Sequence, residues 1–476
     1  MAFAAFAVVV FVTSGQPVQR VWAAWAAGGY ALAALAAALW RSRGREAALV
    51  ISLACALVAP LGWQVTFGGR MPKLDEDSLG VVARSAILLL HHGTPYLPAD
   101  RISHAQEYNP YEPAMSIFGL PAAAGLHGAA GNPRLWMGIT AAVVLAAAFR
   151  LARPGSTLRR TAFAFGSPVL ALPLAQGLTD LPVLALICLM LACTAACPQS
   201  RRVQVAAAVA LGAACAIKAT AWPALPVIAA MLAASNGARA ATRFVITTGI
   251  TATALIAATA PASLTAPAAL FQNTVLFPLG MTRYRTAAAS PLPGYLLAAT
   301  GSAGRWAAIG FLCAVSLAIG VSLVVRPPAN TQAAAWRLAV NLALLFTLAP
   351  ASRWGYFVYP AALLGFMTMT GNQKGPWAAP VPHDRASRGH QLASVLSASR
   401  RFAAVDAVRA VSTANPPSSA AGLTSYGVWK THVSFEAGEP VSETACSSPP
   451  SVVAAMMSPE AMLVQVPTYG PEVQPE

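Results

Sequence analysis

Acidic residues are scarce in this chain of 476 residues, which has 16 Asp and Glu against 31 Lys and Arg. Only 10% of its residues are charged, whereas a soluble domain carries about a quarter. With 57% hydrophobic residues and a mean hydropathy of +0.58, the chain has too little charge to cover a surface that faces water. The composition excludes an ordinary soluble domain and predicts a polytopic helical membrane protein.

CxxC motifs are also missing, since none of the seven cysteines belongs to one, and most of the cysteines lie in apolar stretches. We interpret them as small buried side chains. A single basic patch is missing as well. The formal net charge is +15, but the basic residues stand in small groups between apolar stretches, as orientation signals do. This pattern excludes nucleic acid as the expected partner.

Apolar stretches recur along the first 370 residues and predict an all-α bundle of about 10–12 transmembrane helices. The first of them, AFAAFAVVVFVTSG, lacks a charged start and an A-x-A site, so we expect a short span or signal anchor rather than a cleaved signal. The predicted spans are 2–13, 21–40, 47–67, 133–152, 162–179, 181–198, 203–219, 221–236, 244–262, 306–325, 336–350 and 357–370.

The basic residues of five short turns predict the orientation. All five turns fall on one side if the spans alternate, and that side is expected to be the cytoplasm. Both chain termini are expected on the same side. The opposite, extracytoplasmic side then holds a long first loop, 68–132, the loop 263–305, and the turns near Asp180, Lys218 and Arg353. The residues of the five turns are Arg41, Arg43 and Arg45; Arg150, Arg153, Arg159 and Arg160; Arg201 and Arg202; Arg239 and Arg243; and Arg326 and Arg337.

Carboxylates cluster in the long first loop, where six of the eight found up to residue 370 lie between residues 75 and 112. Three are consecutive, Asp75, Glu76 and Asp77, and the helical pattern of DSLGVVARSAILLLHHG places Asp77 at a helix start. A carboxylate beside the membrane can take a proton from an acceptor hydroxyl or hold a divalent cation. A solvated loop that caps the helix is the alternative. The pair His91 and His92 lacks the spacing of a metal site, so no metal ligand is assigned.

Four basic residues are predicted on the same side as the acids: Lys218, Arg283, Arg285 and Arg353. Together they form a cationic surface suited to a lipid-linked phosphate, since Arg matches phosphate geometry well. Snorkelling to the membrane interface is the alternative for each. The nearby apolar stretch NPYEPAMSIFGLPAAAGL, which contains three prolines, is predicted to be re-entrant or to lie on the surface.

Composition changes near residue 370. The predicted membrane domain is 1–370, and 371–476, rich in Ser, Pro, Ala and Glu, is predicted to be a low-complexity, disordered cytoplasmic tail. A frameshifted or mispredicted end of the gene is the alternative interpretation of this tail.

Four segments of the membrane domain resemble glycosyltransferase family 87, polytopic enzymes of the GT-C fold that include polyprenyl-phosphate-mannose-dependent α-mannosyltransferases of actinobacterial envelopes. The resemblance covers roughly residues 70–365 and depends on the order and spacing of its motifs. The motifs are Asp77 followed by HHGTPYLP; YNPYEPAMSIFGLP with GNPRLW; LGAACAIKATAWPALP; and FPLGMTRYRTAAASPLPGYLL with APASRWGYFVYP.

The resemblance implies an integral membrane hexosyltransferase with its active site outside the cytoplasm. Asp77 would be the catalytic base, and a polyprenyl-phosphate sugar, most simply mannose, would donate to an envelope glycolipid or glycan. Lys218, Arg283, Arg285 and Arg353 would contact the donor phosphate. The family usually shows one acid followed by an apolar–aromatic pair, whereas Ser78 follows Asp77 here, so Asp75 and Glu76 stay open as alternatives. No Rossmann glycine fingerprint is present, which agrees with a lipid-linked donor.

Two other interpretations stay open. The second interpretation is a polytopic transporter or lipid flippase, although such proteins tend to place ionisable residues within broken helices. An inactive membrane subunit is the third. A divalent cation is the only cofactor considered, through the carboxylates of the first loop.

Overall fold

The computed structural model describes residues 1–40, 43–67, 77–153, 155–265 and 267–371. Within these ranges the chain is helical, and the described residues form no β-strand, only an isolated bridge between Ala289 and Ser352. Six helical stretches in the described part are long and apolar enough to cross a membrane: Pro17–Leu39, Gly44–Phe67, Pro133–Ala152, Ala219–Asn236, Ala238–Thr259 and Ser302–Val325. The predicted all-α membrane class is thereby confirmed, while the count of 10–12 spans and the GT-C architecture stay predictions.

Helices occupy the place of every predicted span. A further helix, Asp77–His92, begins in the predicted acidic segment, and the helix Arg201–Ile217 ends just before Lys218. The principal helices are α1 (Ala2–Thr13), α2 (Pro17–Leu39), α3 (Gly44–Phe67), α4 (Asp77–His92), α5 (Pro133–Ala152), α6 (Thr157–Gly166), α7 (Pro168–Gln176), α8 (Leu181–Ala196), α9 (Arg201–Ile217), α10 (Ala224–Asn236), α11 (Ala238–Thr259), α12 (Ser302–Val325), α13 (Thr331–Leu348) and α14 (Val358–Thr370).

The span predicted over 162–179 is wrong as a single helix, because the chain breaks it into α6 and α7. Ser167 between them is extended, and Pro168 takes the first helical position of α7. Proline has no N–H and its ring disfavours a helical conformation in the residue before it, so the hydrogen-bond ladder of α6 cannot continue. The prediction followed hydrophobicity and gave this proline too little weight.

Two helix irregularities receive hydrogen bonds from α2. The first is a π-helical turn in α3, Ala54–Val58, where the Trp22 indole Nε1 donates to the Ala56 carbonyl over 2.8 Å. The second is the end of α6, where the Tyr30 hydroxyl donates to the Gly166 carbonyl over 2.9 Å. A membrane interior offers no water to such carbonyls, so a protein donor has to satisfy them.

The largest part of the core lies where α5, α8 and α9 pack together. Leu184, Ile187 and Leu191 of α8 are buried. On the opposite face of α9, Gly212 brings the backbone close to α11, since a Cβ atom there would lie 2.7 Å from the Thr248 carbonyl oxygen. No hydrophobic effect drives helices together inside a membrane. Small residues stabilise their packing instead, because they let the helix backbones approach closely.

The turns between helices gather at two ends of the bundle. At one end, the Asn109 N–H donates to Asn273 Oδ1 over 2.8 Å, and Ser290 and Ser352 are joined by a backbone hydrogen bond. We call this the loop end; it comprises residues 93–132, 177–180, 218–222, 260–265, 267–301 and 349–357. The opposite, basic end comprises 43–45, 155–157, 197–200, 236–238 and 326–331.

This grouping matches the alternation predicted from the basic turns, because the segments expected together outside the cytoplasm do meet at the loop end. The basic end is likewise continuous: the Asn236 amide donates to the Pro198 carbonyl over 2.9 Å, and Arg45 and Arg159 line one groove. Which end faces the cytoplasm stays a prediction.

The segment predicted as re-entrant or surface-lying forms a 3₁₀ helix, Pro113–Gly119, followed by a short helix, Leu120–Ala123. Met115 and Ser116 are fully buried. This segment packs against α4, α5, α9 and α11, so it is a structural part of the loop end.

Candidate functional site

A buried ion pair lies at the loop end. Lys218 Nζ donates to Asp180 Oδ1 over 2.5 Å and to Thr179 Oγ1 over 3.2 Å. The side chains of Lys218 and Asp180 are only 7% and 2% exposed. Charges this deeply buried persist only when they are paired and hydrogen-bonded.

The hairpin of α8 and α9 brings the two charges together. Asp180 directly precedes α8, Lys218 directly follows α9, and residues 197–200 connect the helices. Because the two helices are antiparallel and similar in length, the start of one and the end of the other meet at the same end. Lys218 has an extended backbone, with φ of −157°, which ends α9 at this point.

Aromatic side chains enclose the lysine. Its Nζ lies 5.3 Å from the ring centroid of Tyr111 and 5.2 Å from that of Tyr356. Both distances are within the range of cation–π attraction. Tyr359 lies close by, its hydroxyl 2.7 Å from Thr220 Oγ1. The first loop and the turn before α14 are thus tied to the ion pair.

A buried arginine connects this cluster to the start of α4. Arg134, in the first turn of α5, is fully buried. A Cβ atom added at Gly177 would lie 3.1 Å from Arg134 Nε and 2.6 Å from Leu79 Cδ1. Leu79 belongs to the first turn of α4, so its side chain brings this turn near Arg134 and the turn that leads to Asp180. The side chain of Asp77 lies outside the described atoms.

Gly177 is expected to be intolerant of any side chain. Its φ is +84°, and a Cβ atom would collide with the Leu79 side chain, so Gly177→Ala should combine conformational strain with a forced shift of that side chain. We expect a loss of more than about 1 kcal/mol. Gly237→Ala is the matched control, because Gly237 has φ of +85° but nothing within 4 Å of the added Cβ. Thermal unfolding in detergent measures both, and an equal loss would contradict the contact argument.

Glu112 is a second carboxylate beside the cluster. Its backbone N–H donates to the Ile217 carbonyl over 3.2 Å, which fixes it next to the residue that precedes Lys218. Burial raises the pKa of the Glu112 carboxyl to about 7. Tyr96 and Cys215 are close enough to sense its charge. A carboxyl with a pKa near neutrality can exchange protons under physiological conditions.

The raised pKa of Glu112 predicts a pH-dependent stability. A carboxyl whose pKa is higher in the folded state favours folding most when protonated, so its contribution is complete below about pH 4.5 and is lost as pH rises through about 7. Glu112→Gln removes this titration. Relative to wild type, the variant should gain of the order of 1–3 kcal/mol between pH 4.5 and 8. Denaturant unfolding at several pH values measures the difference, and a pH-independent difference would contradict burial of the charge.

The predicted phosphate-binding residues lie in different environments at the loop end. Lys218 is buried in its ion pair, Arg353 is half-buried, and Arg283 and Arg285 are exposed. The segment that carries the last two is attached to the Arg353 turn, because Ser352 N–H donates to the Ala288 carbonyl over 3.1 Å. Arg283 stacks over its neighbour Tyr284, with Cζ 5.3 Å from the ring centroid.

Asp75 and Glu76, the alternatives to Asp77, lie outside the described residues, as does the tail from residue 372. In the described part of the chain, no group of three or more His, Cys, Asp or Glu is close enough to hold a metal ion. His91 and His92 are exposed in the last turn of α4. A divalent cation therefore stays a prediction that concerns the acidic triplet.

Three residues of this site were not assigned a role from the sequence: Asp180, Arg134 and Glu112. The sequence does indicate Asp180, because it is the only carboxylate between residue 113 and residue 370. Lys218 is likewise the only lysine between residues 74 and 370. Isolated ionisable residues at the adjacent ends of a helical hairpin are candidates for pairing. Arg134 and Glu112 carried no comparable signal.

The comparisons with known proteins found no relative: no family model matches the chain, and neither a curated protein nor a solved structure matches it significantly. The class that the fold itself defines is a helical membrane protein with a buried ionic cluster at one end.

Proposed function

We propose that this chain is an integral membrane glycosyltransferase of the GT-C type. It transfers a hexose, most simply mannose, from a polyprenyl-phosphate sugar to an envelope glycolipid or glycan on the extracytoplasmic side. The observation that carries the proposal is the composition of the loop end. There the start of α4 at Asp77, the buried Asp180–Lys218 pair and the exposed arginine segment lie at the same end of the bundle, although they come from distant parts of the chain.

In the proposed reaction the lipid-linked donor enters from the membrane at the loop end. The exposed Arg283 and Arg285 contact its phosphate first, since Lys218 is already paired, and Arg353 completes the cationic surface. Asp77 takes the proton of an acceptor hydroxyl while the oxygen attacks the anomeric carbon and the lipid phosphate leaves. Fixed cations at the leaving phosphate stabilise the charge that develops on it.

The ion pair Asp180–Lys218 also favours the second candidate function, a transporter or lipid flippase. Ionisable residues buried in a membrane protein frequently mark a pathway for a substrate or proton. Against this, the two residues flank helices at the end of the bundle, whereas transporters tend to place such groups near the membrane midplane.

One reconstitution experiment separates the two functions. The full chain is placed in liposomes with radiolabelled polyprenyl-phosphate mannose and a panel of envelope glycolipid acceptors, with and without a chelator. A glycosyltransferase moves the label to an acceptor, and the chelator arm tests the divalent cation. A flippase moves the labelled lipid between leaflets without a new product. Movement of the intact lipid between leaflets without sugar transfer would reject the glycosyltransferase proposal and support the flippase.

A further inference from the structure

A groove opens at the basic end, far from the polar cluster of the loop end. It has a volume of about 590 Å³ and lies between α1, α2, α3 and α6. This volume is within the range of small-molecule sites in proteins. The residues at its mouth are basic and those of its floor are apolar, and this difference indicates the kind of ligand that fits the groove.

Three arginines and the start of a helix form the mouth of the groove: Arg45, Arg159, Arg160 and Ser156. Arg45 and Arg159 are exposed, and within the described residues neither is paired with a carboxylate. Arg160 uses one N–H on the Arg153 carbonyl over 2.6 Å and keeps others for a ligand. Ser156 precedes α6, whose first N–H groups add partial positive charge.

The floor of the groove is apolar and continues toward the middle of the bundle. It is formed by apolar side chains of five helices, α1, α2, α3, α6 and α14. None of the described residues that line the groove is acidic, and Glu46, the neighbour of Arg45, is exposed and does not line it. The floor residues that matter here are Phe3, Ala33, Ala34, Leu49, Phe163 and Met369.

We propose that this groove binds an anionic phospholipid, with the lipid phosphate at the three arginines and one acyl chain along the apolar floor. A free anion would leave the floor unoccupied, and a zwitterionic lipid would bring a cation among the arginines. Basic pockets between transmembrane helices are suited to such head groups. The proposal does not depend on glycosyl transfer, since the groove lies at the opposite end of the bundle.

The test is native mass spectrometry of the purified full chain, titrated with phosphatidylglycerol and with phosphatidylcholine of the same acyl chains. We expect phosphatidylglycerol to bind at least about tenfold more tightly. The triple variant Arg45→Gln, Arg159→Gln, Arg160→Gln should lose this preference. The matched control Arg201→Gln, Arg202→Gln, Arg239→Gln removes the same charge outside the groove and should keep it. Equal binding of the two lipids by wild type, or equal losses in the two triple variants, would overturn the proposal.

A second pair of variants tests the floor without changing charge. Ala34→Trp fills the groove and should weaken lipid binding, while Leu35→Trp, at the next and exposed position of α2, should not.

Glycerol phosphate, offered alone, tests whether the head group suffices. Displacement of the lipid by glycerol phosphate at comparable concentration would show a plain anion site and reject the lipid. If the triple variant unfolds, Arg159→Gln alone gives the same comparison at an exposed residue of the mouth.

Discussion

Asp180→Ala is expected to lower the free energy of unfolding by roughly 3–5 kcal/mol, the largest effect on stability that the structure predicts. The substitution leaves Lys218 charged in a site where its side chain is only 7% exposed. Thr179 and the rings of Tyr111 and Tyr356 remain near Nζ, but none of these groups carries a compensating negative charge. An uncompensated buried charge costs far more than the loss of a hydrogen bond.

The double variant Asp180→Leu, Lys218→Met distinguishes charge from packing. Replacing both partners of a buried ion pair by apolar groups is often neutral or stabilising, so this variant should recover most of the lost stability. Asp100→Ala is the control, because Asp100 is an exposed carboxylate at the same end of the bundle and exposed charges contribute little to stability. Denaturant unfolding in detergent micelles measures all of them. A double variant no more stable than Asp180→Ala would contradict the electrostatic account.

Asp77→Asn is expected to reduce sugar transfer by about 10²–10⁴-fold, the usual contribution of a general base. An asparagine keeps the shape and the helix-capping ability of aspartate, so the helix start at Asp77 should survive while the proton acceptor is lost. The reduction should appear in kcat, with KM for the donor little changed. The measurement is the liposome transfer assay with matched amounts of folded protein.

Asp75→Asn and Glu76→Gln are the companions of this prediction, since each removes one neighbouring acid of the triplet. Asp100→Asn, at an exposed position of the same loop, is the neutral control. Full activity of Asp77→Asn together with a collapse in either companion would transfer the role of base to that residue. Full activity of all three would reject a base within the triplet.

Much of the fold followed from hydrophobicity, because a membrane span must satisfy its own backbone and is therefore read as a continuous apolar stretch. The start of α4 at Asp77 followed from its acid and the apolar periodicity after it. The break between α6 and α7 did not follow, since the apolar composition continues across it and only Pro168 marks the change. The burial of Met115 in the first loop did not follow either, because it depends on helices distant in sequence.

The sequence predicted less of the candidate site than of the fold. The sequence predicts Lys218 as one of four cations at a lipid-linked phosphate, whereas a buried lysine also needs a partner within the protein. The partner in the structure is Asp180, which becomes apparent only when α8 and α9 are recognised as one hairpin. The approach of Arg134 to the start of α4 depends on the left-handed turn at Gly177, a tertiary detail without a composition signal.

The two hydrogen bonds that α2 donates have a consequence for how the protein is made. Trp22 and Tyr30 satisfy carbonyl groups that belong to α3 and α6, and both donors precede those acceptors in the chain. During synthesis from the N-terminus, the indole and the phenol are already available when the irregular helices emerge. A carbonyl that would be costly to insert alone thus meets its donor on arrival. The order of these segments along the chain therefore matches an order of assembly, in which α3 and α6 pack against α2 after α2 has been made.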